Sequence, residues 1–177
     1  MPESTTPSPR PNPIILRSAR DTDAPQIAHL GSTVFSTTFG YSLPASDLSD
    51  YISSAYSLAS ISNDIANPNT TIIVARPEGN EELVVGFAQL TEGTHEECVE
   101  GEKPVELQRL YVSTEWAGKG VGRLLVERVV ELAKERGKRT LWLGVVSFFS
   151  SSLEVGLWDM LTVDFVVGGE FEGASCV

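Results

Sequence analysis

The stretch Glu106-Leu-Gln-Arg-Leu-Tyr-Val, then Ser113-Thr-Glu-Trp, then Ala117-Gly-Lys-Gly-Val-Gly-Arg, then an amphipathic run to Arg136, decides how this chain folds. The apolar residues ahead of Ser113 read as a strand, and the run after Gly120 reads as a helix. Between them Gly118, Gly120 and Gly122 occupy alternate positions. Glycine has no Cβ, so the backbone there can turn tightly and let a ligand approach its amides. The first turn of the following helix offers unpaired N–H donors and the positive end of the helix dipole. Together these form an anion site suited to a phosphate or pyrophosphate, with Lys119 and Arg123 adding cations at its mouth. Spacing alone also allows the glycines a purely connective role, because short glycine patterns are weak evidence. Two nucleotide motifs rank lower. A Walker loop needs Ser or Thr after its lysine, and Lys119 is followed by Gly120. The dinucleotide fingerprint is not matched either, and no acidic residue follows at the required distance.

Leu110-Tyr-Val followed by Gly118-Lys-Gly-Val-Gly-Arg-Leu-Leu resembles the acyl-CoA motif of the GNAT superfamily of N-acetyltransferases. Thr33-Val-Phe-Ser-Thr-Thr-Phe-Gly, Tyr51-Ile-Ser-Ser-Ala-Tyr and Leu141-Trp-Leu-Gly-Val are similar to segments of the branch that includes bacterial spermidine/spermine N-acetyltransferases. The resemblance covers roughly residues 14 to 145. It implies an α/β (α+β) fold with a mixed, mostly antiparallel sheet flanked by helices, and acetyl-CoA as co-substrate. The strand backbone at Leu110, Tyr111 and Val112 would bind the pantetheine arm. The turn at Ala117, Gly118, Lys119, Gly120, Val121, Gly122 and Arg123 would bind the pyrophosphate. Ala117 stands where the family prefers Gln or Arg, so one side-chain contact is missing.

The chain has 177 residues, enough for one domain with a core of its own. Its hydrophobic fraction of 41% and charged fraction of 21% are ordinary for a soluble globular protein. No window is long and apolar enough for a membrane helix, and the N-terminus has no apolar core of a secretory signal. Cys98 and Cys176 make no disulfide framework, so a cytoplasmic location is the default expectation. A net charge of −11 argues against a nucleic-acid partner. It suits a cationic small amine such as a polyamine, and it also serves solubility alone. The coenzyme is itself an anion, so its site must be locally basic; Arg109, Lys119 and Arg123 are the expected suppliers. A homodimer is compatible with these features.

Residues 1–13, with five prolines, read as a disordered tail. Residues 14–146 read as the acetyltransferase core and 147–177 as an atypical C-terminal segment. Ile14 to Arg17 predicts a first strand, and Asp21 or Thr22 a helix cap. Ile27, Leu30, Val34 and Phe35 predict a core-facing helical stripe that leaves His29 outside. Gly40 and Pro44 break this helix. A second starts near Ser46 or Asp47 and buries Leu48, Tyr51, Ile52, Ala55, Leu58 and, further on, Ile61 and Ile65, with interruptions. By the resemblance this region walls the acceptor site, which makes Phe35, Phe39, Tyr41 and Tyr51 candidate acceptor contacts; plain core packing is the competing role. Thr70–Arg76 and Leu83–Leu90 predict a hairpin, with Gly86 at a bend. His95 and Cys98 lack the paired spacing of a zinc site, and no metal is expected. Val105–Val112 predicts the fourth strand. Val121, Leu124, Leu125, Val129, Leu132 and Ala133 give the next helix one apolar face, closed by Gly137. Thr140–Val146 is the fifth strand.

After Val146 the chain departs from the family pattern. No tyrosine follows Tyr111, so the family's usual proton donor to the departing thiolate is missing. The last strands are expected to be incomplete, which would expose a sheet edge. For the base, Glu106 is the candidate, with a surface carboxylate as the alternative. Two functions follow: an N-acetyltransferase acting on a primary amine of a small, polyamine-like acceptor, or a catalytically impaired GNAT remnant that binds coenzyme A without turnover.

Overall fold

The computed structural model describes residues 13–95, 99, 101–147, 157–164 and 172–176, with side chains at 145–147, 157–164 and 172–176 left aside. The expected N-terminal tail and Cys98 lie outside the described residues. Seven strands form one sheet in sequence order: β1 (Ile14–Ser18), β2 (Thr70–Pro77), β3 (Gly86–Thr91), β4 (Pro104–Val112), β5 (Thr140–Ser147), β6 (Leu157–Asp164) and β7 (Glu172–Cys176). All neighbours are antiparallel except β4 and β5, which run parallel. The helices are α1 (Ala24–Phe39), α2 (Ala45–Ala55), α3 (Leu58–Ala66) and α4 (Val121–Glu135).

Alternation along the strands divides the core into two layers. Ile73, Ala75, Ala88, Leu90, Val105 and Leu107 pack against Val121, Leu125, Val129, Val130 and Ala133 of α4. Ile72, Val74 and Phe87, from the other face, pack against Ile27 and Leu30 of α1, Ile61 of α3 and Tyr56 between α2 and α3. Leu125 is fully buried, and its truncation to alanine is of the kind that costs about 2–5 kcal/mol.

Several expectations are corrected by the fold. The single helix expected from residue 46 is two, because Tyr56 and Ser57 leave the helical conformation and Ser57 caps α3 by accepting from the Ser60 N–H at 3.1 Å. Leu58, expected inside, is 55% exposed. At the start of α1, neither Asp21 nor Thr22 supplies the cap. Residues Asp21–Asp23 form a 3-10 turn, and the Asp23 carboxylate accepts from the Arg20 N–H at 2.7 Å. Gly86 marks a close approach, since a Cβ there would stand 3.0 Å from the Tyr111 carbonyl oxygen and 3.2 Å from side chains of Val121 and Leu125. On α4 it is Val130, not the half-exposed Leu124, that completes the buried stripe. Beyond β5 the sheet continues through β6 and β7, where an incomplete set of strands was expected.

Candidate active site

The parallel ladder between β4 and β5 is short. It pairs Pro104, Val105 and Glu106 with Thr140, Leu141 and Trp142 and goes no further, although β4 continues to Val112 and β5 to Ser147. The two strands therefore part after Glu106, leaving the last six residues of β4 unpaired on the β5 side. A bulge lies in the same stretch: Gln89 of β3 faces Arg109 and Leu90 faces Leu107, so Gln108 has no opposite number. A bulge bends its strand and takes backbone groups out of the ladder. Leu110, on the freed part of β4, is 38% exposed, and Leu124 of α4 is 37% exposed.

At the far end of this opening β4 runs into the glycine loop. Gly118 and Gly120 have φ of +73° and +83°, a left-handed backbone that side chains resist, and a Cβ on either would meet nothing within 4 Å. The loop thus stands open on its outer side. The first intrahelical donor of α4 is Leu124, whose N–H bonds to the Gly120 carbonyl at 3.1 Å. The amides of Val121, Gly122 and Arg123 precede it and fall among the orphan donors of a helix start. Gly122 lies close enough to Val112 that a Cβ would stand 3.7 Å from its Cγ2. The helix mouth and the strand end are thus adjacent. These amides, with the open space above Gly118 and Gly120, fit a diphosphate.

The side-chain cations expected at this mouth are engaged elsewhere. Arg123 donates from Nε to Glu127 at 2.7 Å along the helix surface. Lys119 holds its Nζ 4.7 Å from the Trp116 ring centroid. Arg109 is on the opposite face of β4, half-buried, where it donates to Asp64 and to Gln89 Oε1, each at 2.8 Å. It is a structural cation of the α3 side and lends nothing to the glycine loop. Gln89, almost fully buried, also donates to Gln108 Oε1 at 2.8 Å, tying the bulge to β3.

The α1–α3 side of β4 carries an aromatic wall. Phe35 stacks on Tyr51 with centroids 4.4 Å apart, and touches Phe39 at 4.9 Å and Tyr56 at 6.1 Å. Tyr41 is 81% exposed. The structure thus brings Phe35, Phe39 and Tyr51 of the expected acceptor residues together. Sequence reasoning missed Tyr56, which joins Tyr51 to Tyr111: its ring centroid is about equally far from both, 6.0 and 6.1 Å, and its hydroxyl lies 2.8 Å from that of Tyr111. The available signal was Gly31. A glycine inside a helix weakens it unless something must come close, and a Cβ there would sit 2.5 Å from Tyr56 Cε1. Glu106, half-buried on the last β4–β5 rung, alternates with Val105 and Leu107 of the α4-side core, so it belongs to the aromatic side of the sheet.

A mixed sheet opened between two parallel strands, with a helix mouth at one end of the opening, defines the chain as an α/β protein of the acyltransferase type. Residues 38–152 match the model of the acetyltransferase (GNAT) family, and the chain belongs to that family. Acetyl-CoA is the co-substrate typical of that family. An uncharacterized N-acetyltransferase of Mycobacterium bovis is 26% identical over 124 residues, 70% of this chain and 73% of the relative. One from Lactobacillus delbrueckii subsp. lactis is 24% identical over 123 residues, 70% of this chain and 69% of the relative. Among solved structures, the fold is shared with the PaiA N-acetyltransferase of Thermoplasma acidophilum in complex with coenzyme A, at a TM-score of 0.65 and 20% identity over 78% of this chain and 82% of that one. A GCN5-related N-acetyltransferase of Rhodopseudomonas palustris gives 0.59 at 18% identity, over 85% and 93%. No helix among the described residues is long and apolar enough to cross a membrane.

Proposed function

We propose that this chain transfers the acetyl group of acetyl-CoA to a primary amine of a small cationic acceptor, polyamine-like in character. The observation that carries the reading is the parting of β4 from β5 after Glu106, in line with a glycine-lined helix mouth. Amides of Gly118 and of Gly120 to Arg123 hold the diphosphate, the Lys119 N–H being engaged by the Trp116 carbonyl. The backbone of Leu110, Tyr111 and Val112 holds the pantetheine arm as an added strand would be held. The bulge at Gln108 supports a further role: a β4 amide released from the ladder can donate to the thioester carbonyl as its oxygen gains charge.

The acceptor enters from the aromatic side, along Phe35, Phe39 and Tyr51. Aromatic faces attract an alkylammonium, and the chain's net charge of −11 draws cations toward the protein. Glu106 takes the proton from the incoming ammonium, directly or through water. Calorimetry with coenzyme A tests the first half, and thiol release from acetyl-CoA with spermidine tests the second. Coenzyme uptake without release from any primary amine would leave only a binding remnant. No uptake by folded protein would remove the reading altogether.

A further inference from the structure

Acetyl transfer needs a path for one proton. As the acceptor nitrogen bonds to the acyl carbon, the C–S bond breaks with its electron pair on sulfur, and a proton must pass from nitrogen to sulfur. The phenols in this sequence are Tyr41, Tyr51, Tyr56 and Tyr111.

Two tyrosines meet on the aromatic side of β4, where Tyr111 also packs against Phe87 of β3. Tyr111 stands on β4 between Leu110 and Val112, five residues beyond the last rung shared with β5. Tyr56, at the α2–α3 junction, belongs to the aromatic wall. Their hydroxyl oxygens are 2.8 Å apart, with Tyr56 as donor. Arg109 lies beside the pair, its guanidinium 5.3 Å from the Tyr56 ring centroid. Tyr111 then accepts, and its own O–H points elsewhere. Among the described residues no group takes that proton. Phenylalanine would fill either place equally well, so ring packing does not require the hydroxyls.

We propose that Tyr56 and Tyr111 form a proton relay from the acceptor side of the sheet to the β4–β5 opening, an inference that rests on the acetyl-transfer reading. Tyr111 gives its proton to the departing sulfur and takes that of Tyr56. Tyr56 takes the proton shed by the new amide nitrogen. Each oxygen gains one proton as it loses one, so neither ends as a phenolate. Burial, the largest cause at both residues, pushes both phenols up. A free base or a lone acid would be ill placed there, whereas a concerted relay is not penalised. Gly31 is part of the device, because only a residue without Cβ lets the Tyr56 ring settle on α1.

The test uses Tyr111→Phe and Tyr56→Phe in the full chain, with a panel of primary amines that includes spermidine. The expected result for Tyr111→Phe is a kcat lowered about 10²-fold, in the range of positioned acid–base catalysis, with coenzyme A affinity by calorimetry within twofold. Rates in mixtures of light and heavy water should curve for the parent, as two moving protons require, and become linear in either variant. A readout independent of turnover is the thiol of bound coenzyme A, followed by thiolate absorbance. Loss of the Tyr111 donor should raise its titration by about one to two pH units. An unchanged kcat, an unchanged solvent-mixture curve or an unmoved thiol titration in Tyr111→Phe overturns the relay. Should that variant fail to bind coenzyme A, Tyr56→Phe decides by kcat and the solvent-mixture curve, and no change in either overturns the relay. A parent protein that transfers acetyl to no amine overturns the function itself, and a parent that turns over beside an unaffected Tyr111→Phe overturns only the relay.

Discussion

Replacing Gly120 separates backbone strain from ligand chemistry at the helix mouth. Its φ of +83° is left-handed, and a Cβ would meet nothing within 4 Å. Any substitution therefore costs strain without collision, about 1–2 kcal/mol. For a chain of this size that lowers Tm by roughly 2–8 °C. Gly120→Ala and Gly120→Glu share this cost. They differ in what they place against a diphosphate. A carboxylate about 5 Å from each of two phosphate charges repels them by roughly 0.8 kcal/mol apiece even at the dielectric of water. The sum weakens binding at least about 15-fold, and more where water is partly excluded. Calorimetry with coenzyme A should give Gly120→Ala near the parent affinity and Gly120→Glu far below it, with part of the gap closing as salt screens the charge. Equal affinities for the two variants, both folded, would refute the placement of the diphosphate at this loop.

Glu106→Gln should lower kcat about 10²-fold and remove the acidic limb of the pH–rate profile; a kcat within threefold of the parent rejects Glu106 as the base. Asp23→Asn strips the buried carboxylate that binds Arg17 at 2.6 and 2.8 Å, and should cost about 3 kcal/mol at neutral pH by denaturant unfolding. The Arg17 guanidinium holds Asp23 below the usual carboxylate range. Its stabilisation is therefore complete above the unfolded-state value of about 4 and is lost as pH falls through the depressed one, so parent and variant should converge in acid. Gly31→Ala drives a methyl into Tyr56 and should cost about 1–2 kcal/mol despite its better helix propensity. It should also reproduce part of the Tyr56→Phe defect in turnover.

The parts legible in the sequence are those whose signal is local. Val121, Leu125, Val129 and Ala133 recur at helical spacing, so α4 and its buried face could be read directly. Gly137, with φ of +70°, closes it as expected. The glycine loop was legible for the same reason, since each glycine answers to its own backbone. The break between α2 and α3 was local too, but Ser57 capping α3 was hidden within a plausible apolar stripe. What escaped depends on distant partners. The bulge at Gln108 exists only against the register of β3. The Tyr56–Tyr111 contact spans 55 positions. The part of Arg109 is set by Asp64 and Gln89, neither near it in sequence. A basic residue beside a presumed anion site looked like a ligand, and the bulge at Gln108 shifted the strand's alternation and turned it to the opposite face.

That reassignment leaves an acidic chain holding an anion with few side-chain charges. Arg123 is one reserve, and Glu127 detains it at 2.7 Å on a surface where both are exposed. Exposed i,i+4 pairs contribute little to stability, so breaking this one should not unfold the protein. It would free a guanidinium in the first turn of α4, which carries those amides. Glu127→Gln should therefore tighten coenzyme A binding about two- to fivefold at low salt, the gain fading as ionic strength rises. Arg123→Gln, which leaves the Glu127 carboxylate unpaired, should weaken binding by a comparable two- to fivefold at low salt. If instead Arg123→Gln abolishes uptake while Glu127→Gln is silent, the guanidinium, and not the helix mouth, is the true diphosphate ligand.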